Sequence, residues 1–183
     1  MPRNTKIVPA DLANLRIIHY PDSRLSRPSD TVALPDESLL PLAERMFELM
    51  SAVRGVGLAA PQVGVNLRFF VAGPVAQGDD RRVYVNPVIL SAEGRQEEEE
   101  GCLSFPGMTC RIKRYGIVTV AAYGLDGQIF QQTGQGLLAR LFQHEIDHLD
   151  GVLLVNRMGT LARLANRRAL KDLEEQFEGK SSA

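Results

Sequence analysis

The sequence predicts an α+β domain of mostly antiparallel sheets, packed around one buried helix, with an N-terminal helix and a C-terminal helix. Segments rich in Val, Ile, Phe and Tyr follow one another without regular alternation with helices, and amphipathic segments lie before and after them. Regular strand–helix alternation would indicate a parallel sheet, so its absence favours antiparallel pairing. A chain of 183 residues fits one domain with a substantial core, and we expect residues 1–183 to form a single domain.

The first helix is predicted to begin at about Asp36 or Ser38 and to end at Val53. Its apolar positions recur at helical spacing: Leu39, Ala43, Met46 and Met50. Pro41 falls close to the predicted start, and proline is tolerated only in the first turn of a helix. The pattern therefore indicates an amphipathic helix, but the sequence does not identify its N-cap residue.

A loop of small residues, Gly55–Gly64, separates this helix from the segments that we predict to be strands. Those segments are enriched in β-branched and aromatic residues: Leu67–Ala72, Arg82–Leu90 and Gly116–Tyr123. Turn signals accompany them: Gly73–Pro74, Gly78–Asp80 and Gly124–Gly127. The acidic run Glu97–Glu99 is predicted to be a solvated edge.

The helix that follows the strands is predicted to be buried. One of its stripes consists of residues at helical spacing: Leu137, Leu141, His144 and His148. Gly136 precedes it and Gly151 ends it, giving a helix of about four turns. Buried imidazoles need polar partners, because leaving them unpaired costs on the order of 1 to 3 kcal/mol each. A metal ion would supply such partners.

The last part of the chain is predicted to form one helix from Arg157 to Phe177, with a frayed tail from Gly179 to Ala183. Its first half is basic: Arg163, Arg167, Arg168 and Lys171. We interpret these residues as a solvated face, with docking onto an acidic partner as the alternative hypothesis.

The composition excludes several functional classes. A formal net charge of −1 and a pI near 6.3 do not indicate the basic surface that general nucleic-acid or membrane-surface binding requires. The first residues lack the apolar stretch of a secretory signal, and no segment approaches the roughly 20 apolar residues of a membrane span. We expect a cytoplasmic protein, in which Cys102 and Cys110 stay reduced and one of them can serve as a ligand.

The most specific chemical signal is His144-Glu145-x-x-His148. In a helix the two imidazoles stack one turn apart on a single face, and the glutamate lies about 100° round. Two ring nitrogens can then bind one ion, while Glu145 can take a proton from a water bound to that ion. The pattern predicts metal-assisted hydrolysis.

A catalytic site of this kind needs a third protein ligand. The longer metalloprotease pattern would place a histidine at position 154, but that residue is leucine, so this hypothesis fails. A downstream carboxylate, Glu174 or Glu175, is one remaining candidate. Cys102, which follows Gly101, is the other, since a thiolate is a strong ligand.

Three blocks of the chain resemble the peptide deformylase family. They are Gly55–Gln62, Glu100–Ser104 and Gln143–Gly151, in the order found in that family. The likeness continues outside the blocks, from Ile17–Leu25 through Met46–Met50 to the terminal helix, and so covers nearly the whole domain. The resemblance is highly specific.

This resemblance implies a hydrolase that removes the N-formyl group from the initiator formyl-methionine of nascent polypeptides and releases formate. It implies the ligands Cys102, His144 and His148, and Glu145 as general base and acid. The Gln62 side chain and the Leu103 backbone N–H would stabilise the oxyanion. Substrate-binding positions would be Val56, Gly57, Gly101 and Leu141.

The implied cofactor is one divalent ion per chain, with Fe²⁺ as the family's common choice and Zn²⁺, Ni²⁺ or Co²⁺ as alternatives. The implied partners are nascent formyl-Met polypeptides and, through the C-terminal helix, the ribosome, with no membrane and no sequence-specific nucleic acid. Two rival hypotheses are a zinc peptidase with a glutamate ligand and a non-catalytic metal-binding module. One position departs from the family: Thr109 stands where better-known bacterial members have an arginine, seven residues after the ligand cysteine.

Overall fold

The computed structural model describes residues 11–34, 36, 38–74 and 81–181. The helices are α1 Leu39–Ala52, α2 Leu137–Leu149, α3 Leu154–Arg157, α4 Thr160–Ala165 and α5 Arg167–Ser181. The strands are β1 Gly57–Ala59, β2 Phe69–Ala72, β3 Arg82–Glu93, β4 Gln96–Gly101, β5 Thr109–Arg114, β6 Ile117–Tyr123 and β7 Ile129–Gln135. The predicted turn at Gly78–Asp80 lies outside the described residues, as do Ser182 and Ala183 of the predicted tail.

Five of the strands form one antiparallel sheet in the order β1-β2-β3-β6-β7, and β4 and β5 form a separate antiparallel pair. The predicted α+β class with mostly antiparallel sheets is confirmed. The three predicted strands are present as β2, β3 and β6; three of their six ends agree with the prediction, and the others differ by one to three residues.

The five-stranded sheet lies between α1 and α2, and the side chains of β2 pack on both faces of the sheet. Successive side chains of a strand point to opposite faces. Phe69 and Val71 pack in a cluster with the buried face of α1, whereas Phe70 and Ala72 pack in a cluster with α2. All four residues are buried, which explains why this strand is a continuous apolar run.

Helix α1 buries the apolar stripe that the sequence predicts. Leu39, Ala43, Met46 and Met50 are all at most 2% exposed. Pro41 lies in the first turn, where its missing N–H costs no helical hydrogen bond. Ser38 makes no side-chain cap but donates to Asp36 Oδ1 over 2.6 Å.

The pair β4–β5 was not predicted, because a run of glutamates has low strand propensity. The strand forms because its partner supplies opposite charges: Glu97 lies across from Lys113, and Glu99 across from Arg111. Such cross-strand pairs stabilise a sheet by roughly 0.2 to 1 kcal/mol each. Glu97 and Glu99 are exposed, as the predicted solvated edge requires, while Glu100 is buried.

The prediction of one C-terminal helix from Arg157 to Phe177 was wrong. Met158 and Gly159 adopt extended backbone conformations, which separates α3 from α4, and Asn166 separates α4 from α5. Helix α5 continues past Gly179 to Ser181, where the sequence predicts a tail. Within the described ranges, no helix combines the length and apolar character that a membrane span needs.

Candidate active site

Helix α2 carries three of the predicted site residues and is seated against β1, β6 and β7. His148 is 1% exposed and Glu145 is 3% exposed, so the packed side of the helix includes its reactive groups. A Cβ atom on Gly57 would collide with Oε1 of Glu145. Glycine at this position of β1 is therefore what allows the carboxylate to lie against the strand.

Cys102, His144 and His148 converge on one point. Cys102 directly follows β4, and its Sγ lies 3.2 Å from His148 Nε2. One potential ligand atom from each of the three residues lies within 4.8 Å of the others, and the two imidazole rings are 5.0 Å apart. A sulfur and two imidazole nitrogens in this arrangement fit a borderline divalent cation such as Fe²⁺, Co²⁺, Ni²⁺ or Zn²⁺.

Glu100 orients the first histidine. Its Oε1 lies 2.8 Å from His144 Nδ1, and because an ionised carboxylate only accepts, Nδ1 carries the proton and Nε2 is left as the donor atom for a metal. Burial alone would raise the pKa of Glu100, but hydrogen bonds from His144 and Arg114 lower it to about 2. Burial lowers the pKa of His148 well below its ordinary value, which keeps this ring neutral and able to coordinate.

Glu145 is a buried carboxyl group with one unpartnered oxygen. Among the described residues, its Oε2 has no hydrogen-bond partner. Burial raises the pKa of Glu145 to about 7. A carboxyl with such a pKa can both accept and return a proton near neutral pH.

Gln62 is held in a defined orientation in the 3₁₀ turn Ala60–Val63. Its Oε1 accepts from the Ala59 backbone N–H over 2.9 Å, and its Nε2 donates to Ser104 Oγ at 3.2 Å and to Cys102 Sγ at 3.5 Å. The amide nitrogen is therefore turned towards the Cys102 sulfur. Sequence reasoning did not identify Ser104, which fixes this orientation.

A cavity of about 790 Å³ opens over these groups. Its lining includes Gln62, Cys102, Leu103, His144 and Glu145. The four predicted substrate-binding residues also line it: Val56, Gly57, Gly101 and Leu141. Apolar side chains, backbone groups and the reactive side chains therefore surround one space, which is large enough for more than one amino-acid residue.

Comparison with known proteins identifies the family. Residues 14–164 match the family model described as polypeptide deformylase. A peptide deformylase of Acidobacterium capsulatum is 43% identical over 164 residues, which covers 88% of this chain and 96% of that protein. The chain belongs to the polypeptide deformylase family. It is accordingly a metal-dependent hydrolase that removes N-formyl groups.

Solved deformylase structures share its fold. A peptide deformylase from Legionella pneumophila has a TM-score of 0.81 and 44% identity, covering 90% of this chain and 98% of that one. An inhibitor complex of a peptide deformylase from Arabidopsis thaliana has a TM-score of 0.87 and 37% identity, covering 92% and 95%. The match to the family model, residues 14–164, includes the Cys102, His144 and His148 group.

The alternative ligands of a zinc peptidase do not belong to the candidate site. Glu174 accepts from the Tyr20 hydroxyl over 2.7 Å, and Glu175 pairs with Lys171 at 3.2 Å on an exposed face of α5. Neither carboxylate is part of the group formed by Cys102 and the two histidines. Leu154, at the position of the third metalloprotease histidine, is buried in an apolar cluster.

Sequence reasoning missed a buried ionic network behind the candidate site. The sequence patterns assigned no role in the site to Arg114 or Asp147. Residues Cys110, Ile112 and Arg114 occupy the buried positions of β5, which alternate with exposed ones. The period-two pattern of this segment was the available signal, because it turns a charged side chain inward.

Proposed function

We propose that this site performs the deformylation itself, on the formyl-methionine at the start of nascent polypeptides. One observation supports the assignment above the others: three potential metal ligands lie within 4.8 Å of one another, beside a buried carboxyl group and at the wall of an open cavity. The sulfur of Cys102 and the ring nitrogens of His144 and His148 would hold the ion.

The donor set supports a divalent ion of borderline softness, and we propose Fe²⁺ as the native metal, with Zn²⁺, Ni²⁺ or Co²⁺ able to replace it. When bound, such an ion polarises the formyl oxygen and lowers the pKa of a water towards neutrality. Burial lowers the pKa of His148, so this ring already presents a nitrogen lone pair. Burial alone would also lower the pKa of His144, but its hydrogen bonds with Cys102 and Glu100 raise it, so this ring releases its Nε2 proton when the ion binds.

Glu145 would act as the proton carrier. Its unpartnered Oε2 accepts a proton from the attacking water, and the carboxyl then returns that proton to the leaving amine. A pKa of about 7 suits both transfers. The C–N bond of the formamide breaks, and the products are formate and a peptide with a free amino group.

Two donors would meet the negative charge that builds on the formyl oxygen. The backbone N–H of Leu103 lies next to the ligand cysteine, and Gln62 Nε2 is turned towards the same sulfur. Removing one donor of this kind typically lowers the rate by about 10² to 10³. Because Oε1 of Gln62 is occupied by the Ala59 N–H, the amide cannot turn its oxygen towards the oxyanion without losing a buried hydrogen bond.

The proposed methionine pocket combines open backbone and apolar surface. Gly57 and Gly101 present backbone groups to the cavity, and Val56 and Leu141 provide apolar contacts. Thr109 also lines the cavity and is exposed, so the guanidinium available at that position in other members is replaced here by a small hydroxyl. We expect peptide contacts beyond the methionine to differ accordingly.

The proposed function is tested by assaying formate release from formyl-Met-Ala, with protein purified anaerobically and its metal content measured. We expect about one divalent ion per chain and release of formate together with a free-amine peptide. Metal-loaded protein that releases no formate would contradict the proposal and favour the non-catalytic metal-binding module.

We further propose that the protein works in a bacterial-type cytoplasm and docks on the ribosome through α4 and α5. Four basic side chains on these helices are exposed: Arg163, Arg167, Arg168 and Lys171. Leu161 and Leu164 of α4 are 83% and 65% exposed, so α4 also presents apolar side chains to solvent. A basic surface of this kind suits the phosphates of ribosomal RNA.

Reversing Arg167 and Arg168 to glutamate is expected to weaken co-sedimentation with ribosomes by roughly 10-fold at about 0.1 M salt. Turnover of formyl-Met-Ala should stay the same, because neither residue lines the cavity. Reversal of Arg16 and Arg27, two exposed arginines on another part of the chain, is the matched control. Equal ribosome binding by both double variants would contradict docking through these helices.

A further inference from the structure

A chain of charged side chains runs behind the proposed metal ligand His144. Glu100, which lies 2.8 Å from His144 Nδ1, also receives two hydrogen bonds from Arg114, at 3.0 Å from Nε and 2.8 Å from Nη2. The third nitrogen of Arg114, Nη1, donates to Asp147 Oδ2 over 2.5 Å. Arg157 completes the chain by donating from Nε to Asp147 Oδ2 over 3.0 Å and from Nη2 to Oδ1.

This chain connects the two elements that provide the ligands. Glu100 is in β4, directly before the Cys102 turn, whereas Asp147 is in α2 between His144 and His148. Arg114 is 4% exposed and binds both carboxylates at once, so its planar guanidinium sets the distance between the strand and the helix. A small shift of either element would break at least one of its three hydrogen bonds.

Helix α2 also separates two cavities, and the chain passes from one to the other. Glu100 lines the cavity of the candidate active site, whereas Arg114, Asp147 and Arg157 line a second cavity of about 760 Å³ on the other side. The side chain of Arg157 is 47% exposed there, so burial decreases outward along the chain. Two carboxylates and two guanidinium groups make the set neutral, which is the condition under which buried charges are tolerated.

We propose that Asp147 and Arg114 are positioning residues for the metal centre, acting through Glu100 on His144. They lock the Glu100 carboxylate against Nδ1 of His144, and this contact fixes the orientation of the ring, with Nε2 aimed at the shared ligand point. The inference rests on the proposed metal site and deepens it, since it assigns a role to residues that touch neither the ion nor the substrate.

The test uses the full-length protein loaded with Co²⁺, because the visible absorption of this ion reports the geometry of its ligands. In Asp147→Asn one amide oxygen still accepts, but the N–H₂ group at the other position would face an arginine N–H. At least one of the three hydrogen bonds from the arginines and the negative charge are therefore lost at little change in volume. Removing the hydrogen-bond partner of a metal-binding histidine typically lowers metal affinity by 10- to 100-fold. Asp147 is further from the histidine than such a partner, so we expect Co²⁺ transfer from Asp147→Asn to a chelator to become about 10-fold faster. The Co²⁺ absorption bands should shift as well.

Asp150→Asn is the matched control. Asp150 lines the same second cavity and ends the same helix, but it pairs with Arg68 at 2.7 Å. The control removes the same charge and should keep the native spectrum and release rate. A purely structural role for Asp147 would lower the melting temperature and leave the spectrum of the folded, loaded protein unchanged, so that result overturns the proposal.

Arg157→Gln keeps the test decisive if Asp147→Asn does not fold, because Arg157 is the half-exposed outer end of the chain. It should release Co²⁺ about threefold faster than Asp150→Asn, and equal rates would overturn the proposal. The unaltered protein separates the two levels of inference. If it binds no Co²⁺, the proposed metal site itself fails; if it binds Co²⁺ and the variants behave like the control, only the positioning role fails.

Discussion

Replacing Glu145 with glutamine is expected to leave the metal content unchanged and to lower formate release by about 10² to 10⁴-fold. Glutamine has nearly the same volume and keeps the contact with Gly57, so α2 should stay in place. It can neither accept a proton from water nor give one to the leaving amine. The measurement is kcat on formyl-Met-Ala, with metal content determined on the same sample.

A matched control for this prediction is Glu98→Gln, on the exposed edge of β4. It removes the same charge from the solvated surface and should leave kcat within about twofold, as surface substitutions usually do. If Glu145→Gln keeps its metal and turns over within tenfold of the unaltered protein, Glu145 is not the proton carrier, and another group must take that role.

Local sequence patterns were sufficient for the parts of the fold that depend on local physics. Helix α2 follows from apolar spacing between Gly136 and Gly151, and the apolar runs of β2 and β6 follow from strand propensity. Strand β4 depends on a partner distant in sequence, since glutamates become a strand only opposite the basic residues of β5. The break at Met158 and Gly159 was missed because leucines at helical spacing continue on both sides of it.

In the candidate site, too, local patterns predict what lies within one element and miss what depends on distant segments. The spacing of His144, Glu145 and His148 predicts a metal-binding helix by itself, because all three residues belong to one element. The third ligand could not be derived in this way: Cys102 lies in a different segment, and residue patterns alone left Glu174 and Glu175 open. Family resemblance singled out Cys102, and the 3.2 Å separation between its sulfur and His148 Nε2 provides the geometric support.

Substituting Cys102 with alanine is expected to lower metal affinity by more than about 100-fold, which is the upper range for losing only an outer partner of a ligand. Formate release should fall with the metal content. Two imidazoles remain in the variant, but they lose the thiolate of the ligand group, which contributes both charge and softness. Metal content after dialysis against a chelator, together with turnover, measures both effects.

Cys110→Ala is the control for this substitution, because Cys110 is also a buried free thiol but lies outside the ligand group. Burial raises the pKa of the Cys110 thiol, so it stays protonated and is a poor ligand. That variant should keep its metal and most of its activity. The peptidase hypothesis requires the reverse pattern, in which Cys102→Ala retains the ion while Glu174→Ala or Glu175→Ala loses it. Since Glu174 binds Tyr20 and Glu175 binds Lys171, we expect these two variants to remain metal-loaded and active.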